Sequence, residues 1–133
     1  MRCKIDMIIT HDNLDEIRKK FSGRNIVFVS GVFDLTHPGH VLFFENAKRL
    51  GELLVVGVGD DASIKKLKGE DRPFFNEPMR LKMVASLKPV DFCFLAPAPP
   101  DRPLDFIDGV FTRLRPDIYA VNDDAFDIPA RIE

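Results

Sequence analysis

The chain alternates short apolar runs with stretches in which apolar residues recur at helical spacing. Four runs rich in Val, Ile and Phe are typical of buried strands: 26–30, 53–58, 90–95 and 117–121. Four stretches carry apolar residues on one helical face: about 13–21, 38–50, 78–87 and 104–114. Alternation of this kind favours a parallel sheet covered by helices, because right-handed crossovers place helices over the sheet. We therefore predict an α/β fold built on a doubly wound parallel sheet with helices on both faces.

Length and composition predict one globular domain over residues 1–133. The chain has 133 residues, of which 45% are hydrophobic and 30% charged, which is enough to bury a core of its own. Its net charge of −2 and the absence of a long apolar run argue against a nucleic-acid or membrane partner. Cys3 and Cys93 have no companions at metal-binding spacing, which favours a reducing, cytoplasmic setting.

The segment from Gly31 to His40 joins the first predicted strand to a predicted helix. Pro38 suits the first helical position, and Gly31 and Gly39 allow the backbone to approach a ligand closely. The helix start offers unpaired N–H groups and the positive end of the helix dipole. His37 and His40 project from the same place. In sheets of this kind, ligands bind beyond the carboxyl ends of the strands where the strand order reverses. The segment therefore predicts a site that holds a phosphate chain and stabilises negative charge.

This segment resembles the signature of the cytidylyltransferase-like nucleotidyltransferases. The matching positions are Gly31-x-Phe33-Asp34-x-x-His37-x-Gly39-His40. Further matches follow in the family's order: Ala47-Lys48-Arg49-Leu50-Gly51, Asp61-Ala62-Ser63, Lys68-Gly69, Arg72-Pro73, Asn76-Glu77-x-x-Arg80 and Val90-Asp91. The similarity covers roughly residues 14–124 and is greatest to heptose-phosphate adenylyltransferases and glycerol-3-phosphate cytidylyltransferases. It implies a Rossmann-like fold.

The resemblance implies an enzyme that transfers CMP or AMP from CTP or ATP to a sugar or alditol phosphate and releases pyrophosphate. The nucleophile in this reaction is already an anion, so the enzyme has to bring two anions together and neutralise charge at the α-phosphate. The predicted cofactor is Mg²⁺, held mainly by the nucleotide phosphates, with no protein ligand assigned. Dimerisation is common among such relatives, so a homodimer is also expected.

Four residues are predicted to be catalytic by this resemblance: His37, His40, Lys68 and Arg80. The histidines would donate hydrogen bonds to triphosphate oxygens, with His40 at the α-phosphate. Lys68 would reach the phosphates of both substrates as a point charge. Arg80 lies in the first turn of a predicted helix, where the dipole disfavours a cation, and is expected to contact the nucleotide phosphates.

Nine further residues are predicted to bind the nucleotide or the acceptor: Gly31, Val32, Phe33, Asp34, Gly39, Asp61, Arg72, Asp123 and Asp124. For Asp34, a structural role in orienting the loop and a ligand contact are equally open. Asp61 matches a family position that faces the acceptor. Asp123 and Asp124 match a segment near the base and ribose, although Ala125 stands where the family has an aromatic residue.

Three other interpretations remain to be weighed. The pattern Gly57-x-Gly59-x-x-Ala62 fits a dinucleotide-binding turn, but Asp60 and Asp61 within it would repel a pyrophosphate. Relatives continue beyond the acidic pair with a strand and a helix that hold the triphosphate, and we expect that segment to be missing here. The alternative function is therefore a nucleotide-binding module with weak or no catalysis. An adenylyltransferase acting on a pantetheine or nicotinamide nucleotide is disfavoured by the matches at 61–63 and 68–69.

Overall fold

Five parallel strands form the centre of the computed structural model, which describes residues 7–34, 37–69, 71, 74–96 and 106–120. The strands are β1 (Ile8–Ile9), β2 (Ile26–Gly31), β3 (Leu53–Gly59), β4 (Phe92–Ala96) and β5 (Ile118–Tyr119). The helices are α1 (Leu14–Lys20), α2 (Pro38–Lys48), α3 (Asp61–Lys68), α4 (Glu77–Ala85) and α5 (Phe106–Arg113). The sheet order is β1-β4-β3-β2-β5, and every paired strand is parallel. The predicted α/β fold with a doubly wound parallel sheet is confirmed.

The sequence analysis did not predict two of these elements, β1 and α3. The sequence pattern did not predict β1, because two residues are too few to show alternation. It did not predict α3 either, because the stretch is only weakly apolar; within it, Ile64 is fully buried. The predicted helix start at residue 78 lies one residue late, since Asn76 caps α4 by accepting a hydrogen bond from the Met79 N–H at 3.1 Å. None of the helices in the described ranges is long and apolar enough to cross a membrane.

Helices cover both faces of the sheet. On one face, Phe44 of α2 and Val84 of α4 pack against Val27 and Val29 of β2. On the other face, Leu14 of α1 belongs to a second buried cluster. The central strands are apolar on both sides, as expected for a parallel sheet covered by helices. The core therefore consists of two layers, one between each face of the sheet and the helices that cover it.

A glycine in the middle of the sheet leaves room for two aromatic rings. Gly57 of β3 is paired with Ser30 on one side and with Phe94 on the other. A Cβ atom at this position would lie 3.2 Å from the Phe28 ring and 3.3 Å from the Phe94 ring. These two rings stack at a centroid distance of 6.1 Å. Gly57 thus accommodates a contact between side chains from the two strands that flank it.

The topology places the motif at the point where the strand order reverses. From β2 the chain continues to β3 and β4 on one side, and later returns to β5 on the other side. The loop between β2 and α2 lies at the carboxyl ends of the strands, next to the crevice between β2 and β5. Ligands of doubly wound sheets bind at such crevices.

Candidate active site

The loop that follows β2 folds back against the start of α2. Phe33 is buried and adopts a positive φ of 52°, an uncommon conformation for a residue with a side chain. Its ring centroid lies 5.0 Å from that of Phe44 and 5.5 Å from that of His40. A Cβ atom at Gly31 would lie 2.7 Å from this ring. Glycine at position 31 is therefore needed for the close return of the loop.

Two histidines stand together at the beginning of α2. The ring centroids of His37 and His40 are 4.0 Å apart. The Nδ1 atom of His37 accepts a hydrogen bond from the Gly39 N–H at 3.0 Å, and Nδ1 of His40 accepts one from the His37 N–H at 3.2 Å. Because each Nδ1 acts as an acceptor, the proton of each neutral imidazole lies on Nε2. The backbone thereby leaves both Nε2–H groups as donors for a ligand.

The environment of His40 favours its neutral form. Partial burial lowers the pKa of His40 from its ordinary value, and the neighbouring His37 lowers it further. His37 itself is exposed at the start of the helix. At neutral pH this pair therefore offers hydrogen-bond donors without a full positive charge on His40.

Asp34 joins the motif loop to the segment that precedes α4. Asp34 is 9% exposed, and its carboxylate accepts hydrogen bonds from the Phe74 N–H at 2.8 Å and from the Phe75 N–H at 2.9 Å. Both oxygens are thus used within the protein. The sequence left two roles open for Asp34, orienting the loop and contacting a ligand. The described contacts are those of a residue that orients the loop.

Arg80 is the most deeply buried charged residue in the described part of the chain, at 1% exposure. Its Nε donates to the Phe75 carbonyl at 2.9 Å. Its Nη1 donates to the carbonyls of Val32 at 3.0 Å and Gly59 at 2.6 Å, and its Nη2 donates to Asp61 Oδ1 at 2.6 Å. Four of the five N–H groups of a guanidinium are therefore occupied by other segments of the protein. The described contacts of Arg80 therefore lie inside the protein, and its predicted contact with nucleotide phosphates stays a prediction.

The starts of α3 and α4 hold each other. The Asp61 N–H donates to Glu77 Oε2 at 2.8 Å, and the Glu77 N–H donates to Asp61 Oδ2 at 3.3 Å. Each carboxylate thus lies at the N-terminus of the partner helix, where a negative charge is stabilised. Asp61 is also ion-paired with Arg80, so the contacts of its carboxylate lie within the protein. Glu77 was not among the residues predicted for the site; its place directly after the capping Asn76 was the available signal.

The predicted residues fall into four groups. The motif residues Gly31, Val32, Phe33, Asp34, His37, Gly39 and His40 lie together at the carboxyl end of β2 and the start of α2. Asp61 and Arg80 lie beside them, paired with each other. Lys68 ends α3, and the structure describes its backbone alone. Arg72, Asp123 and Asp124 lie outside the described residues.

Comparison with known proteins decides the family. The family model described as cytidylyltransferase-like matches residues 28–131. The chain belongs to the cytidylyltransferase-like family. This confirms the resemblance inferred from the motifs and the predicted enzyme class, a nucleotidyltransferase.

Individual relatives share a large part of the chain. It is 45% identical over 98 residues to the bifunctional protein HldE of Magnetococcus marinus. These 98 residues are 74% of this chain and 19% of that protein. It is 43% identical over 102 residues to the bifunctional protein HldE of Syntrophotalea carbinolica, or 77% of the chain and 20% of that protein. The chain therefore spans about a fifth of the length of these curated relatives.

A solved structure has the same fold. The lipopolysaccharide core biosynthesis protein from Thermoplasma volcanium superposes with a TM-score of 0.69 at 30% sequence identity. The match covers 83% of this chain and 84% of that one. The arrangement of strands and helices described above is thus found in a crystal structure of a relative.

Proposed function

We propose that the chain transfers CMP from CTP or AMP from ATP to a phosphorylated sugar or alditol. A phosphate oxygen of the acceptor attacks the α-phosphorus, a new P–O bond forms, and the P–O bond to the β-phosphate breaks. Pyrophosphate leaves with the electron pair of that bond. Membership of the cytidylyltransferase-like family and the similarity to HldE proteins support this reaction class.

The observation that carries the proposal is the orientation of the histidine pair. Both Nδ1 atoms accept backbone N–H groups, so both Nε2–H groups remain for phosphate oxygens. We propose that His40 donates to the α-phosphate as charge develops there, and that His37 donates to the leaving phosphates. Donors that are fixed before the reaction lower the barrier because they need no reorganisation. The positive end of the α2 dipole would add to the same anion site.

The remaining predicted residues take supporting roles in this proposal. Gly31, Val32 and Phe33 shape the loop, Asp34 fixes it, and Gly39 brings the helix start close to the nucleotide. Lys68 would approach the phosphates from the end of α3, as the family resemblance implies. Arg72, Asp123 and Asp124 keep their predicted binding roles.

Magnesium fits this site through the substrate. The carboxylates of Asp34 and Asp61 are engaged by backbone N–H groups and by Arg80. Within the described residues, His, Cys, Asp and Glu form no group of three or more that could hold a metal ion. We therefore propose that Mg²⁺ is held by the triphosphate and water, which is usual for this ion. When bound, it neutralises phosphate charge.

A pyrophosphate-release assay tests the proposal. ATP and CTP are each combined with Mg²⁺ and a panel of sugar and alditol phosphates. We expect turnover with one pair, and a loss of about 100- to 1000-fold in kcat for His40→Ala, as for the removal of one oxyanion donor. His11→Ala is the matched control, because it removes an imidazole whose ring packs against Phe94 outside the motif. A folded wild-type protein that turns over no pair would refute the enzymatic proposal.

The second candidate function is a nucleotide-binding module without catalysis. The histidine pair supports it as well, because the two Nε2–H groups could bind phosphate oxygens with or without turnover. Calorimetric titration with ATP and CTP distinguishes the two. Binding without turnover supports the module, and turnover with any pair excludes it.

A further inference from the structure

We infer that Arg80 is a positioning residue that fixes the geometry of the nucleotide site without contacting the nucleotide. This inference deepens the proposed function and rests on it. The expectation from sequence was a phosphate contact. The described contacts instead direct four N–H groups of Arg80 into the protein.

The four acceptors of Arg80 come from three segments at the carboxyl edge of the sheet. Val32 follows β2 within the motif loop, and Gly59 ends β3. Asp61 begins α3, and Phe75 precedes α4. A planar guanidinium presents its donors in a rigid fork, so satisfying all four acceptors fixes these segments relative to one another. Arg80 therefore sets the distance between the histidine-bearing loop and the helix that ends in Lys68.

Asp34 provides a second tie to the same segment. Phe75 is held at both ends: its N–H donates to Asp34 Oδ1, and its carbonyl accepts from Arg80 Nε. Both charged residues are at most 9% exposed. Two part-buried, charge-assisted contacts on one residue are stronger than neutral hydrogen bonds and more specific in direction. The loop after β2 and the segment before α4 thus form one rigid unit.

The position of Asp61 explains how a buried cation is tolerated here. Its Oδ1 pairs with Arg80 at 2.6 Å, and the Arg80 side chain is 0% exposed whereas that of Asp61 is 31% exposed. A guanidinium with no carboxylate in such a place would be strongly unfavourable. Because the Arg80 side chain is not exposed and four of its five N–H groups are engaged, a nucleotide phosphate could reach it only if the surrounding segments moved. Direct contact between Arg80 and a phosphate would therefore break hydrogen bonds that hold the motif loop in place.

The test compares Arg80→Lys, Arg80→Met and Asp61→Asn in the full chain, with Arg49→Lys as the control. Arg49→Lys makes the same chemical change at an exposed arginine whose Nη1 donates to Asn46. Lysine keeps the charge of Arg80 but cannot reproduce the fork. We expect kcat to fall about 100-fold in both Arg80 variants, since small misplacements have effects of this size. We expect KM for the nucleotide to change by less than about threefold, because no binding contact is removed.

Asp61→Asn separates positioning from direct contact. If Arg80 acts through the site geometry, Asp61→Asn lowers kcat, and the double variant Arg80→Lys/Asp61→Asn is no worse than Arg80→Lys alone. If Arg80 contacts phosphate, loss of the competing carboxylate leaves nucleotide affinity unchanged or improves it, and Arg80→Lys retains far more activity than Arg80→Met. That second pattern overturns the inference.

Amide hydrogen exchange tests the inference independently of turnover. Exchange at Phe75 should be at least about tenfold faster in Arg80→Lys and Asp61→Asn than in the wild type, while the amides of β2 stay protected. Protected β2 amides show that the variant is folded. Because the Asp61 side chain is partly exposed, we expect Asp61→Asn to destabilise the fold less than the Arg80 variants do. Unchanged exchange at Phe75 in folded Asp61→Asn overturns the inference. A wild type without turnover refutes the proposed function alone.

Discussion

Removal of the Asp34 carboxylate should destabilise the protein by an amount that its two hydrogen bonds determine. In Asp34→Ala, the N–H groups of Phe74 and Phe75 lose acceptors at 2.8 and 2.9 Å. A hydrogen bond to a charged group contributes roughly 1.5–3 kcal/mol. The side chains of Phe74 and Phe75 are about half exposed, so water can reach the freed amides and reduce the cost. We expect a loss of about 3 kcal/mol in the free energy of unfolding.

Asp34→Asn refines the same prediction. Asparagine keeps one oxygen acceptor but turns an amide donor toward the second N–H, so we expect a loss of about 1.5 kcal/mol. Urea unfolding followed by circular dichroism measures both variants, with the slope of the transition expected to remain unchanged. For a chain of this size, 3 kcal/mol corresponds to a decrease of about 10 °C in Tm.

The control for the Asp34 variants is a carboxylate that makes no comparable contact with the motif loop in the described ranges. Glu45→Ala removes an exposed carboxylate from the middle of α2 and should change the free energy of unfolding by less than about 0.5 kcal/mol. If Asp34→Ala is as stable as Glu45→Ala, the carboxylate does not fix the loop. If Asp34→Asn is as stable as the wild type, the two-acceptor account is wrong.

Three further predictions concern the histidine pair and the core thiol. The pKa of His40 is lowered in the folded protein, so the unfolded chain binds this proton at a higher pH than the folded chain does. The free energy of unfolding should therefore decrease as the pH falls below the ordinary pKa of 6.5. Urea unfolding should show a smaller decrease in His40→Gln. In Gly39→Ala, the new Cβ would lie 2.8 Å from His37 Cε1, so turnover should fall about tenfold or more in the pyrophosphate assay while Tm changes little. Burial raises the pKa of the Cys93 thiol to about 12, so iodoacetamide at pH 8 should leave it unmodified in folded Cys3→Ser protein and modify it after denaturation, as read by mass spectrometry.

The motif was readable from sequence because its signals are local. Apolar β-branched residues predicted β2, Pro38 marked the start of α2, and the two histidines lie three positions apart on the same helix start. The ring centroids of the two histidines are 4.0 Å apart, as their spacing on one helix start indicates. A single sequence shows the spacing of residues within one segment, and for these two histidines that spacing is enough to predict that they lie together.

The setting of Arg80 was not readable for the opposite reason. Its burial depends on carbonyl groups of Val32 and Gly59 and on the carboxylate of Asp61, which come from other segments. A backbone carbonyl leaves no trace in a sequence, since every residue has one. The same limit applies to β1, because two residues become a strand only through pairing with β4.

Gly57 has a consequence for how the chain avoids wrong strand pairings during folding. Because β3 is apolar on both sides, a one-residue slip against β2 or β4 would still bury hydrophobic side chains and would carry little penalty from patterning. The slip would, however, bring Val56 or Val58 to the place where the Phe28 and Phe94 rings approach the strand. Glycine at this position therefore favours the native register, because a side chain here would crowd the two rings that meet at the centre of the sheet.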